Sequence, residues 1–436
     1  MFLPPAPKKC IMLLQAAGYC AYAVGGCVRD ALLGLTPKDY DLCTDATPEE
    51  ICRIFSDYTL VKAGEKHGTI GVVMDGQVFE ITTFRTEGGY QDSRHPDWVR
   101  FVTNVEEDLS RRDFTVNAMA YNPKIGYVDP FGGQTDLSQK ILRAVGDPET
   151  RFTEDPLRIL RGVRFAVTYG LTPDPATKEA MFRLAPLMDK LARERVFSEL
   201  CKLLPLVSAQ DLLEYAPVLT QPIPELQRSL GFCQHSPYHK YDVFTHTANV
   251  VANCPPELSL RWAALLHDVE KPGVFYRDET GRGHFPNHAF QGAQTADGIL
   301  LRLKAPTALR EEVTFLIRQH MLKVPEDKRL LRRWLGKWGR DLLLQLLSLQ
   351  EADMRSKGYG IPPEVEQFPR LKALIDEVVA EHACLTVKDL AISGADLLAI
   401  GIPPGPEMGK TLNRLLEMVQ DELIPNEKEA LLAAAQ

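Results

Sequence analysis

The sequence predicts an α/β head, a small mixed or antiparallel sheet with helices, followed by an all-α remainder. Two observations carry this reading. The stretch "HGTIGVVMDGQVFEITTFR" reads as two strands, "TIGVVM" and "QVFEITTF", around Asp75-Gly76, a dipeptide suited to a tight hairpin turn. From about Lys140 onward strand signals thin out, and amphipathic Leu-rich segments such as "RLLRRWLGKWGRDLLLQLLSLQEADMRSK" predict helices to the end.

Within that frame the boundaries follow composition. Residues 1–140 form the head, 141–215 a helical neck, 216–360 a helical body and 361–436 a helical tail. Proline-bearing connections at "APVLTQPIPELQ" and "GYGIPPEVEQFP" mark the softer joints. No repeat of fixed period and no low-complexity tract occurs.

A chain of 436 residues, 45% hydrophobic and 25% charged, has the composition of a globular protein with a well-buried core. No apolar run is long enough to span a bilayer, and the N-terminus lacks the pattern of a secretion signal, so a cytoplasmic protein is expected. Nine scattered cysteines without a C-x-x-C pair argue against a disulfide framework and a thiolate zinc site. The net charge of −8 disfavours indiscriminate nucleic-acid binding, yet arginines cluster at 111–112, at 151, 158, 161 and 164, and at 193 and 195.

The chemistry-bearing residues begin with "GGCVRDALLGLTPKDYDLCT" (Gly25 to Thr44). "KDYDL" is extended in pattern, and on a strand Asp39 and Asp41 point the same way because the side-chain period is two. Adjacent carboxylates repel unless a cation lies between them, and hard oxygen donors of this kind suit Mg²⁺ that also touches phosphate. Gly25-Gly26 can bring backbone N–H groups to a phosphate, Arg29 can add a charged fork, and the helical pattern "VRDALLGL" follows. Glu80, a lone acid on the second hairpin strand, either faces solvent or joins the pair as a third carboxylate.

Farther on, "EDPLRILRGVRF" reads as a helix start, with Thr153 or Asp155 as cap, Pro156 in the first turn and Leu157, Leu160 and Val163 as the apolar stripe. Arg158, Arg161 and Arg164 flank that stripe. One reading is a cap plus an ion pair between Asp155 and Arg158. The other is an acceptor and donors that meet the pairing edge of a base.

These stretches, together with "RRDFTVNAMAY", "DPFGGQTDL", "RFTEDPLRILRGVRFA" and "ARERVFSEL", resemble in order and spacing the class II tRNA nucleotidyltransferases. That family comprises the bacterial-type CCA-adding enzymes and their poly(A) polymerase relatives within the polymerase β superfamily. The resemblance implies that Asp39 and Asp41 hold two metal ions, Mg²⁺ by preference, for transfer of a nucleotide to an RNA 3′-hydroxyl with release of pyrophosphate. It implies that Arg112 contacts the triphosphate or sugar and that Asp113 lies near the ribose. It implies that Asp155 and Arg158 select C and then A without a template, assisted by Arg161 and Arg164. Neck and tail would bind tRNA, with CTP and ATP as substrates.

The rival within the class is a poly(A) polymerase, or an enzyme adding CC or A alone. "AGEKHGTIGVVMDG" lacks the basic run of bacterial poly(A) polymerases, and "RTEGGYQDSRHPDWVRF" (Arg85 to Phe101) resembles the flexible loop of complete CCA-adding enzymes. In the body, His246, His267-Asp268 and Asp353, with His288 and His320 between, resemble HD phosphohydrolases, which bind a divalent metal through such residues. That likeness implies either a second hydrolytic activity or a non-catalytic body that contacts tRNA, and it supplies the alternative of another class: a phosphohydrolase whose head merely binds RNA.

Overall fold

The computed structural model describes residues 1–88, 98–381 and 384–436. The chain forms two compact units, Met1–Leu206 with Glu214–Ile223, and Val207–Leu213 with Pro224–Gln436.

The first unit opens with helix α1 (Pro5–Ala16) and strand β1 (Ala21–Val24), then helix α2 (Gly26–Leu32), β2 (Leu42–Thr44) and α3 (Pro48–Ile54). Strands β3 (Thr59–Val61), β4 (Thr69–Met74), β5 (Gln77–Thr83), β6 (Arg85–Gly88) and β7 (Trp98–Phe101) follow, then α4 (Val105–Ser110), β8 (Ala120–Asn122) and β9 (Gly126–Val128). Seven of these strands make one sheet in the order β3-β4-β5-β2-β1-β8-β9. All its pairings are antiparallel except β2 with β5.

Sequence and local structure agree at the hairpin. Asp75 and Gly76 both adopt positive φ, 53° and 76°, the conformation a two-residue turn between twisted strands demands. The strands it joins bury Ile70, Val72, Phe79 and Ile81 on the core side, so the register is fixed by which face is apolar. A second cluster, with Tyr22, Val24, Cys43, Phe84, Leu109, Ala118 and Ala120, packs sheet residues with α4 and the segment leading into β8.

The "DPFGGQTDL" segment is architectural. Asp129 accepts from the Gly133 and Gln134 N–H groups at 2.6 and 2.9 Å, capping helix α5 (Gly133–Ser138) from four residues upstream. A Cβ on Gly133 would stand 2.3 Å from Thr115 O and 2.9 Å from the Met119 side chain. Glycine is therefore required for close approach of two backbones rather than for a special φ.

Helices α6 (Pro148–Glu154), α7 (Leu157–Tyr169), α8 (Pro175–Leu184) and α9 (Arg193–Leu203) follow in the same unit, with the short helix Ala216–Leu219. Of the two candidate caps Thr153 is excluded, since it lies inside α6, which Asp147 caps through the Thr150 N–H. The break falls at Asp155-Pro156, where proline brings no N–H and the Asp155 carboxylate accepts from Leu157 N. The stripe Leu157, Leu160 and Val163 is buried as expected.

The second unit is helical but for one two-residue strand pair. Its principal helices are Val243–Asn253, Leu258–Leu266, His288–Arg302, Thr307–Gln319, Lys328–Trp338, Arg340–Arg355 and Gln367–Ala380, with a tail cluster centred on Leu397, Leu415 and Leu431. No described helix is long and apolar enough to cross a membrane.

Gly133→Ala is expected to destabilise the first unit by about 1–3 kcal/mol through overpacking against Thr115 and Met119. Chemical denaturation of the purified variant measures it; an unchanged midpoint would contradict the close approach.

Candidate active site

Asp39 and Asp41 sit in the extended approach to β2 rather than within the strand itself, which begins at Leu42. The approach is nevertheless sheet-like, since Val24 N donates to Asp41 O at 2.9 Å. The parallel register pairs Leu42 with Ile81, so Asp41 and Glu80 each stand one residue before a paired position on neighbouring strands. Among the described residues none of the three carboxylates takes an ion pair. Partial desolvation, with the like charges of Asp39 and Glu80, pushes Asp41 up to about 6 against the pull of Arg112. Glu80 thus joins the pair electrostatically. Exposed oxygen donors coupled through Asp41 and without an ion pair suit a hard divalent cation.

Gly25 makes the turn from β1 into α2 with φ of 76°. A Cβ there would also come within 2.9 Å of Arg112 Nη1, so position 25 is closed to side chains on two counts. Its N–H is already given to Met119 O, and the N–H groups of Val28 and Arg29 go to Gly25 O, which leaves those of Gly26 and Cys27 as the first-turn donors that a phosphate could meet. Arg112 itself pairs only loosely with buried Asp108, at 3.3 Å, and its Nε has no hydrogen-bond partner.

Arg29 departs from expectation. It is buried, its Nε and Nη2 donate to Asp30, Nη1 donates to Asn117, Nη2 also reaches the Tyr169 hydroxyl, and its guanidinium lies 4.1 Å from the Tyr169 ring centroid. A side chain so committed cannot also fork a phosphate. Arg29 fastens α2 to the C-terminal end of α7.

Asp113 is the partner of that tie. It accepts from its neighbour Phe114 N, from Asn117 Nδ2 at 3.0 Å, and from Arg161 Nε and Nη2 at 2.9 and 2.7 Å. Burial alone would raise its pKa, but the Arg161 charge and these hydrogen bonds outweigh burial and draw it down to about 2. Arg161 therefore acts here through Asp113.

The ion pair between Asp155 and Arg158 does not form. Arg195 Nη2 donates to Asp155 Oδ2 at 2.8 Å, while Arg158 Nη1 donates to Glu154 Oε2 at 2.9 Å and to Arg151 O, and its Nη2 to Arg111 O at 2.9 Å. These contacts use three of the five N–H donors of Arg158, leaving its Nε and one Nη2 hydrogen. Arg164 Nε donates to Glu199 Oε2 at 2.6 Å with its guanidinium 4.3 Å from the Phe165 ring centroid.

Glu154, Glu199, Asn117, Asp108 and Tyr169 were not singled out by sequence reasoning, although all but Asp108 and Tyr169 lie inside the quoted motifs, and Arg195 was noted only as part of an arginine cluster. Their signal was a charge or amide beside a chosen residue; which partner each takes depends on tertiary packing.

The Arg85–Phe101 loop is framed by β6 and β7, and residues 89–97 at its centre lie outside the described residues. In the second unit the structure gathers His246, His267, Asp268 and Asp353: His246 Nε2 lies 2.9 Å from Asp353 Oδ1 and 3.6 Å from Asp268 Oδ2, and His267 Nε2 3.1 Å from Asp268 Oδ2. Glu270, next but one to Asp268, turns to Arg228 and Thr295.

Comparison with known proteins accords with these features. Family models match in three places: "Poly A polymerase head domain" over residues 21–143, "Probable RNA and SrmB- binding site of polymerase A" over 170–226, and "tRNA nucleotidyltransferase domain 2 putative" over 289–435. The CCA-adding enzyme of Streptococcus mutans is 33% identical over 96% of this chain and 93% of its own length, and that of Geobacillus thermodenitrificans 33% identical over 97% and 94%. The crystal structure of the Bacillus stearothermophilus CCA-adding enzyme in complex with CTP superposes with a TM-score of 0.75 at 29% identity, covering 99% of this chain and 97% of that one. With this likeness running through both units, the chain belongs to the CCA-adding enzymes.

Proposed function

We infer that this protein adds and repairs the CCA sequence at tRNA 3′ ends, using CTP and ATP and releasing pyrophosphate. The observation that carries the reading is the electrostatic coupling of Asp41 to Asp39, Glu80 and a loosely held Arg112, with Asp155 and Arg158 each held by other partners in the same unit. Near full-length likeness to enzymes named for CCA addition favours it over poly(A) synthesis.

The RNA 3′-oxygen forms a bond to the α-phosphorus of the nucleotide as the bond to the pyrophosphate oxygen breaks. Asp39 and Asp41, with Glu80 beside them, are the donors that would hold Mg²⁺. Bound there, Mg²⁺ supplies charge stabilisation to the attacking and leaving oxygens. Arg112, held only loosely by Asp108, would meet the triphosphate, and Gly25 keeps the approach clear.

Base choice follows from hydrogen-bond polarity. Cytosine and adenine both present an amino donor beside a ring-nitrogen acceptor; uracil and guanine present the reverse. An aspartate acceptor beside arginine donors matches the first pair and leaves groups unsatisfied against the second. Arg195 and Leu157 N hold Asp155, and Glu154 with two main-chain carbonyls holds Arg158, so the pair is presented in one orientation. Asp113, through Arg161 and Asn117, fixes the helix that carries it.

The direct test is incorporation of labelled CTP and ATP, separately and together, into tRNA transcripts ending before CCA, after C and after CC. Ordered addition that stops after A is expected; long A tails would overturn the reading. Asp41→Asn is expected to lower incorporation at least about 10²-fold with folding intact. Asp155→Ala and Arg158→Ala should each reduce discrimination against UTP and GTP about 10–100-fold. tRNA affinity, measured by filter binding, should stay near wild type.

Asp41 also sets a pH dependence. Its folded pKa lies above the ordinary carboxylate value, so its ionised form opposes folding: the cost is full above about pH 6 and disappears as acidification protonates the folded state toward the ordinary value near 3.8. A shift of this size corresponds to about 3 kcal/mol, which solvent screening at this exposed position reduces to about 1 kcal/mol. In EDTA, Asp41→Asn should therefore melt about 2–4 °C above wild type at pH 7.5, with the gain fading between pH 6 and 4. An equal gain at pH 4 would contradict the carboxylate cluster.

A further inference from the structure

A side-chain bridge joins the strands that carry the carboxylates to the helix that carries the base-reading groups. Asp39 and Asp41 precede β2, and Val24 N on β1 donates to Asp41 O at 2.9 Å. β1 continues through Gly25 into α2, which holds Arg29. Asp155 and Arg158 stand at the start of α7, and Tyr169 is the last residue of that helix, about 16 Å along its axis from Arg158.

Arg29 spans the gap. Its Nε and Nη2 donate to Asp30, Nη1 donates to Asn117, and Nη2 also donates to the Tyr169 hydroxyl. Asp30 belongs to α2 itself and Asn117 to the turn before β8, so of these hydrogen bonds the one to Tyr169 reaches α7. The rings of Tyr169 and Phe165, one turn apart on α7, lie 4.1 and 5.3 Å from the guanidinium. α2 packs mainly on β1 and on the 115–117 turn, so its hold on α7 is made by side chains.

The bridge is buried and charged. Arg29 is 5% exposed, and a guanidinium stripped of hydration to that degree needs its donors met by protein acceptors. The phenol meets one and keeps its own proton: burial raises its pKa against the pull of Arg29, and Asp30 adds to the rise. An aliphatic side chain at 169 would remove both an acceptor and the aromatic face beside the cation.

Spacing matters to a nucleotide in a particular way. Its base and its triphosphate are read by groups on different elements, and both ends are satisfied at once only if those elements stand at the right separation. An error in separation leaves each end able to bind its own half and penalises the whole molecule.

We propose that Tyr169, acting through Arg29, is a positioning residue that holds α7 in register with the carboxylate-bearing strands, so that the base and the α-phosphate of one nucleotide are placed together. The role rests on the CCA-adding reading above and assigns part of it to a residue that works through another.

The test compares the whole nucleotide with its halves, on the full chain in Mg²⁺. Tyr169→Leu should lower kcat/KM for CTP incorporation into a tRNA transcript ending before CCA about 10-fold. Cytidine and pyrophosphate, each used alone as an inhibitor, should act as they do on the wild type, because neither spans the two ends. Tyr169→Phe, which loses only the hydroxyl, should fall between, and circular dichroism reports which variants fold. A wild-type kcat/KM in a folded variant would overturn the role. Equal weakening of both inhibitors would also overturn it, since a general loosening of the unit moves the halves as much as the whole. Absence of incorporation by the wild-type chain would overturn the CCA-adding reading itself, and this role with it.

Discussion

The placement of the arginine-bearing helix α7 depends on one buried carboxylate. Asp113 lies in the turn after α4, and two routes run from it to α7: directly to Arg161, and through Asn117 and Arg29 to Tyr169. The two contacts fall eight residues apart on the same helix, so they oppose both sliding and rotation. A fully satisfied buried network of this kind is directional where apolar packing is not. The apolar stripe of α7 buries the helix among the helices of its unit, and the Asp113 network sets its azimuth.

This network explains how an acidic protein can be rich in arginine at its working site. Arg29, Arg158, Arg161, Arg164 and Arg195 each have an acidic partner within 3 Å. The positive charge is thus locally compensated and serves placement as much as attraction. Arg112 is held more loosely, by Asp108 at 3.3 Å with an unpartnered Nε, and keeps more of its capacity for an incoming anion.

The sheet-forming part of the fold was legible because its signals are local. Asp75-Gly76 needs only its own backbone preference to specify a hairpin, and the alternation of Phe79, Glu80 and Ile81 states which face is buried. The carboxylate trio was legible in composition, but the strand order that brings Glu80 beside Asp41 is a tertiary fact, since nothing local requires β2 to pair with β5. Partner choice was the least legible. Asp155 and Arg158 stand three apart, a good helical spacing, yet the helix breaks between them and each turns elsewhere: Arg195 is 40 residues away, and Arg158 prefers Glu154 across the break. Arg29 was misread for a related reason, because a sequence shows that a cation follows two glycines but not that an aromatic hydroxyl 140 residues later will claim it.

The main-chain contacts of Arg158 have a consequence for how such a site endures. Two of its three fixed donors go to the carbonyl oxygens of Arg111 and Arg151, atoms that every amino acid carries. Replacement of either side chain leaves the acceptor in place so long as the local backbone keeps its course. Arg158 is thereby insulated from drift at two of its three supports, and the remaining support, Glu154, is the one among them where a single codon change can release it.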